Sequence, residues 1–173
     1  METVITDFIN YLNKTKKTSH NTEISYRRDL KKLFQFLQDH EVKDLAGVTE
    51  TQLESYILYM EKKKFASSTV SRSVASIRAF FQYLYREGMI DKDVSGELKS
   101  PKVEKKTPEI LSVEEVDMLL EQPDIRTPKG MRDRAMLELL YATGMRVSEL
   151  IHLKLEDLNL TLEYVTCSDG DRE

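Results

Sequence analysis

Apolar positions in the first ninety residues recur at helical spacing and fall into four blocks. Val4, Ile5, Phe8, Ile9 and Leu12, with Glu2, Asp7 and Asn10 between them, predict an amphipathic N-terminal helix. Ile24, Tyr26, Leu30, Leu33, Phe34 and Leu37 make the stripe of a second helix between about Asn21 and His40. Thr49 and Gln52 spell a capping box ahead of Leu53, Tyr56, Ile57 and Met60. Ser67, Ser68 and Thr69 offer caps for a fourth helix carrying Val70, Val74, Ile77, Phe81 and Leu84, with Gly88 as its stop.

The pattern then changes. Ser95–Pro108 (SGELKSPKVEKKTP) holds two prolines, four lysines and few apolar residues, which predicts an exposed, extended linker. Ser112 and Glu115 make another capping box before Val116, Leu119 and Leu120, and Pro123–Gly130 reads as a loop. Ala135, Met136, Leu137, Leu139, Leu140 and Tyr141 predict a thoroughly apolar, buried helix that Gly144 ends. Arg146 opens a further helical segment with Val147, Leu150, Ile151 and Leu153. Leu158–Cys167 turns to β-branched and aromatic residues, as a hairpin or edge strand does.

Composition narrows this to a mainly helical chain of one large or two small domains. Its 173 residues suffice for real cores, and only 6 Gly and 4 Pro leave little room for a turn-rich β protein. The single cysteine, Cys167, excludes a disulfide framework and a clustered cysteine zinc site, and fits a reducing, cytoplasmic setting. No uninterrupted apolar run exists, so neither a signal peptide nor a membrane partner is expected. The net charge of -4 conceals an asymmetry. Residues 1–106 carry 19 Lys and Arg against 15 Asp and Glu, a balance of +4, whereas residues 107–173 carry 7 against 15, a balance of -8. A basic first half and an acidic second half suggest two domains with different partners.

Candidate chemistry is sparse. His20, His40 and His152 are scattered, and no metal-ligand spacing, glycine-rich phosphate loop, nucleophile elbow or Cys–His pair occurs. Two helices of the basic half mix cations with small polar groups, as a helix approaching phosphates and base edges requires. The second carries Lys16, Lys17, Asn21, Thr22, Ser25, Arg27, Arg28, Lys31 and Lys32; the fourth carries Ser68, Ser71, Arg72, Ser76 and Arg78, and Lys99 and Lys102 follow in the linker. A solvated helix face has the same composition, and spacing alone leaves both readings open. The Lys62–Lys64 run reads as a solvated helix end. Arg146 is costly between two apolar helices unless an anion meets it. Either Glu149, three residues on, is that anion, or a phosphate is.

Four segments strongly resemble the Xer-type tyrosine recombinases and phage-type integrases. They are TEISYRRDLKKLFQFL (Thr22–Leu37), SSTVSRSVASIRAFFQYLYREGMI (Ser67–Ile90), SPKVEKKTPEILSVEEVDMLL (Ser100–Leu120) and GMRDRAMLELLYATGMRVSELIHLKLEDLNL (Gly130–Leu160). The YATGMRVSEL core is far more specific than a generic helical pattern. The resemblance implies a four-helix, SAM-like core-binding domain over residues 1–88 and a linker over 89–108. Residues 109–173 would be the N-terminal part of a mixed α/β catalytic domain, ending in an incomplete hairpin. It implies that Arg146 grips the scissile phosphate and that Glu149 is the acid supporting it. The implied parent reaction is strand cleavage and rejoining through a 3′-phosphotyrosyl link, with no metal or nucleotide cofactor. The implied partners are double-stranded DNA and a homo-oligomer or another recombinase protomer on it.

The same resemblance exposes a gap. The family also uses a hairpin lysine, a second arginine in a histidine-rich motif, a further histidine or tryptophan, and a tyrosine nucleophile, and all but the lysine would lie beyond residue 173. The lysine should fall near Asp169 or Gly170, where Arg172 is the nearest cation and a poor proton donor. None of the eight tyrosines matches the nucleophile. A hairpin lacking its second strand would leave an open edge, and the Arg134–Tyr141 helix would lack covering layers. The expectation is therefore a truncated, DNA-binding recombinase fragment unable to cleave alone. The alternative is an interaction protein that dimerises with and modulates an intact recombinase.

Overall fold

In the computed structural model, residues 2–42, 44–102 and 107–167 are described, and the chain divides into two compact units, Met1–Lys105 and Lys106–Glu173. The first unit holds α1 (Glu2–Lys16), α2 (His20–Asp39), α3 (Glu50–Lys62) and α4 (Ser67–Arg86). Each apolar stripe becomes its helix's buried face, and α2 and α4 form the most extensive helix pair. Phe80 of α4 is the hub: its ring meets Phe8 edge-on at 5.3 Å and Phe34 at 5.6 Å. These are favoured quadrupole geometries, and each buried ring contributes about 2–3 kcal/mol of hydrophobic stabilisation.

Local chemistry sets the helix ends. Ser19 caps α2 by accepting from the Thr22 N–H, and Thr49 and Gln52 close the expected capping box on α3. The α4 cap differs from expectation. Ala66 occupies the N-cap without a side-chain hydrogen bond, and Ser67, Ser68 and Thr69 all lie inside the helix. Gly88 ends α4 with φ of 67°, and the same left-handed turn ends α2 and α3 at Glu41 (φ 61°) and Lys64 (φ 58°). In all three, the next residue's N–H bonds back to the last turn: Val42 to Leu37 O, Phe65 to Met60 O, Met89 to Leu84 O. These are Schellman motifs.

The expected exposed linker is partly core. Ile90, Ser95 and Leu98 are buried in the first unit, and the Arg78 guanidinium donates to the Leu98 carbonyl. Asp93 accepts from both the Ser95 N–H and its hydroxyl, which turns the chain back. Composition marked the stretch as polar, yet its few apolar groups suffice to anchor it.

The second unit holds α5 (Val113–Glu121), α6 (Pro128–Thr143), α7 (Val147–His152), a 3₁₀ turn (Leu155–Asp157), β1 (Leu158–Asn159) and β2 (Tyr164–Val165). The strands pair antiparallel, Leu158 with Val165 and Asn159 with Tyr164. The hairpin expected of Leu158–Cys167 is thus present among the described residues as a short one, two residues a strand. The α6 helix starts at Pro128, inside the expected loop, where Thr127 accepts from the Gly130 N–H. A Cβ at Gly130 would overlap the Asp124 backbone, so only glycine fits that close turn.

The α6 helix is not buried as its composition led one to expect. Among its described residues only Gly130 is fully buried, Leu137, Leu139 and Leu140 are half-covered, and Tyr141 is exposed. Within the unit, α5 and α7 pack on it, and its apolar girdle exceeds what those two short helices cover. The expectation about Asp169, Gly170 and Arg172 lies outside the described residues.

Candidate nucleic-acid interface

Arg146 is held by the turn that precedes it. The α6 helix closes at Gly144, whose φ of 66° sends its N–H to the Leu140 carbonyl, while the Thr143 hydroxyl donates to Leu139 O. Met145 is buried and anchors the turn, and Arg146 then takes extended backbone as the N-cap of α7. Its N–H donates to one Glu149 oxygen at 2.6 Å and its guanidinium to the other at 2.9 Å. The Arg146 N–H, more than its guanidinium, holds the Glu149 carboxyl below its ordinary range, against the opposing cost of burial. The two side chains differ in exposure: 74% for Arg146 and 16% for Glu149. The arginine is thus not enclosed between buried helices. Part of its guanidinium is clasped by a shielded carboxylate, and most of the side chain's surface is exposed.

In the first unit, the expected DNA-reading side chains separate into different situations. On α2, Asn21, Ser25, Arg28 and Lys32 recur at i, i+4, i+7 and i+11, a single face, and Arg28 and Lys32 are exposed. Lys17 is exposed at the end of α1, in left-handed backbone. Thr22 is half-buried, its hydroxyl sharing a hydrogen bond with Ser19 at 3.0 Å in the cap. Ser68, Lys99 and Lys102 are exposed, and Ser71 shares a 2.6 Å hydrogen bond with Ser100.

On α4 one position, Ser76, needs correction, and two arginines already have partners within the unit. Ser76 is fully buried and donates to the Ser73 carbonyl at 2.9 Å, so it is a core residue that DNA does not reach. Arg72 lays one edge of its guanidinium on Asp29, Nε and Nη2 donating to the two carboxylate oxygens at 2.9 and 3.0 Å, and the carboxylate is 2% exposed. Arg78 is tied to the Leu98 carbonyl and secures the returning segment. The two arginines therefore serve packing first.

Asp29 is the important residue the sequence reading passed over. The signal was present: Asp29 stands three residues after Tyr26 and four before Leu33, on the apolar stripe itself. A carboxylate there needs a buried partner. Among the described residues no three of His, Cys, Asp and Glu gather into one cluster. His40 lies against Phe36 with ring centroids 4.1 Å apart, and in the second unit the His152 Nδ1 meets the Ser148 carbonyl at 2.7 Å.

Comparison with known proteins places these features. Residues 5–88 match the family Phage integrase, N-terminal SAM-like domain, and residues 109–172 match the Phage integrase family. Tyrosine recombinase XerD of Staphylococcus aureus is 41% identical over 174 aligned positions, covering 100% of this chain and 59% of its own length. The chain thus spans about three fifths of the curated relatives it matches. Among solved structures, the Tn1549 transposon integrase in complex with circular intermediate DNA superposes with a TM-score of 0.65 at 18% identity. That match covers 91% of this chain and 51% of the integrase, and it speaks to the fold. The same integrase with transposon right end DNA gives a TM-score of 0.62, covering 90% and 49%. With one family's two domains found in order, and an extended match to a recombinase along the whole length, the chain belongs to the phage integrase family of tyrosine recombinases.

Proposed function

We propose that this chain is a DNA-binding portion of a site-specific recombinase, which grips duplex DNA with its first unit and contributes Arg146 to the scissile phosphate. The observation carrying this reading is the exposed face of α2, where Arg28 and Lys32 stand in line with Asn21 and Ser25. The cations neutralise phosphates, and the short polar groups let the helix come close. Arg146, backed by the Glu149 carboxylate, supplies a fork suited to two phosphate oxygens and to the charge that develops when the phosphate is attacked.

In the parent reaction a tyrosine oxygen attacks phosphorus, the 5′-oxygen leaves, and a 3′-phosphotyrosyl link results. These 173 residues do not perform that step by themselves in this reading. Tyr56 illustrates why: burial pushes its hydroxyl up to about 12, so it is a packing group and not a nucleophile. Tyr164 sits in the short hairpin, its hydroxyl 3.4 Å from the Asn159 amide. A duplex nicked to trap covalent adducts is the test, and any protein–DNA adduct overturns this part.

Binding itself is tested by fluorescence anisotropy with duplex DNA across a salt series. Arg28→Ala with Lys32→Ala should weaken binding and flatten the salt dependence by up to about two phosphate contacts. Unchanged affinity at low salt overturns the assignment of that face.

A second reading, association with an intact recombinase, is favoured by the apolar surface of the second unit, where Met118, Leu119, Tyr141 and Ile151 are exposed. It requires inhibition of a full-length enzyme that persists when Arg28 and Lys32 are neutralised.

A further inference from the structure

The C-terminal half of α2 builds a feature that adjoins the DNA face and shares Lys32 with it. A cavity of about 280 Å³ opens between α2, α3 and the residues joining α3 to α4. Its floor is aromatic: Phe36 lies 5.2 Å from both Tyr56 and Tyr59. Of the two lysines near its rings, Lys32 is part of the lining. The Lys32 ammonium sits 5.1 Å from the Phe65 ring centre, and that of Lys63 sits 5.8 Å from the Tyr59 ring centre.

Helix capping puts Phe65 there. Lys64 takes left-handed backbone, and the Phe65 N–H turns back to the Met60 carbonyl, so the Met60 and Phe65 side chains line the cavity. Core packing does not require the outer rings, because Tyr59 and Phe65 remain 41% and 37% exposed above the buried Phe36 and Tyr56. The Gln35 amide donates to the Asp39 carboxylate at 2.8 Å, and His40, its ring 4.1 Å from that of Phe36, completes the polar lining.

Partly exposed aromatic rings select a flat π system, and ammonium groups beside them select an anion attached to it. Asp39 disfavours an acidic peptide while accepting hydrogen bonds from an exocyclic amine. A nucleotide satisfies all three. The position also fits: Arg28, Lys32, Gln35 and Asp39 recur at i, i+4, i+7 and i+11 along α2, so its cationic face runs directly into the cavity. The lysine run that looked like a solvated helix end thereby gains a use in Lys63.

We propose that this cavity receives an unpaired nucleobase of a DNA strand whose neighbouring phosphates lie along α2. The proposal rests on the DNA-binding reading given above. Two duplexes of equal length, one fully paired and one with a single-nucleotide bulge, separate the two claims in anisotropy titrations of the full chain. The bulged duplex should bind about tenfold more tightly, as one base–aromatic stack provides. Tyr59→Leu with Phe65→Leu should remove that preference and leave affinity for the paired duplex within about twofold, since the exposed rings are replaced by apolar groups.

The chain has no tryptophan, so Phe65→Trp supplies a single reporter whose emission should be quenched by the bulged duplex and not by the paired one. Equal affinity for both duplexes, or a preference surviving in the double variant, overturns the cavity assignment and leaves the DNA-binding reading intact. Quenching that grows with protein concentration alone overturns it in favour of a second copy. Failure to bind either duplex overturns both.

Discussion

At the scale of single residues, charge placement separates groups that resemble one another in sequence. Arg28 and Arg72 both sit on basic helices, but only Arg72 neutralises a buried carboxylate. Arg72→Ala should cost about 2 kcal/mol in urea unfolding, because Asp29 is left desolvated and unpaired. Arg28→Ala should change stability by less than about 0.5 kcal/mol while weakening DNA binding. Equal stability losses would refute this division. Glu149 makes a pH prediction of definite sign. Its carboxyl is lowered from an ordinary 4.5, so the clasp on Arg146 is complete above that value and fades only as pH falls through the lowered one. A carbon NMR titration should place its midpoint below 4.5. Because the Arg146 N–H is the larger cause, Arg146→Ala should move the midpoint only part of the way back.

At the scale of elements, some helix ends could be read in advance and others could not. Thr49 with Gln52 and Ser112 with Glu115 close their boxes through side-chain chemistry, so identity and spacing encode them directly. Gly144 and Gly88 were equally legible, because a left-handed turn favours glycine. The stops of α2 and α3 were hidden, since Glu41 and Lys64 adopt that conformation only where the packed chain demands it. Glu41 is exposed and bears a backbone cost of about 1 kcal/mol that glycine would not. Glu41→Gly should therefore stabilise the first unit by up to about 1 kcal/mol, read as a raised urea midpoint with an unchanged slope. A lowered midpoint would show that Glu41 makes a compensating contact. The returning Ser95–Leu98 segment escaped notice for a related reason. Composition reports average polarity, whereas anchoring needed only Ile90 and Leu98 in the core and Asp93 to fold the chain.

At the scale of the whole molecule, the two units differ in how much they bury. The first has an aromatic core spanning all four helices, while Leu120, Met145 and Leu150 are the buried large side chains among the described residues of the second. Burial of that extent gives a small local stability, so unfolding should not be two-state. Heating should produce a lower transition from the second unit and a higher one from the first, assigned by hydrogen exchange in α6 and α4. Duplex DNA makes this division informative about function. A ligand present at about a hundred times its dissociation constant stabilises what it binds by about 2.7 kcal/mol. If only the basic face of α2 holds the duplex, the upper transition alone rises. If Arg146 also grips a phosphate, the lower transition rises as well, and Arg146→Ala abolishes that shift while sparing the upper one. A lower transition indifferent to DNA in the unsubstituted chain would show that Arg146 does not grip the duplex.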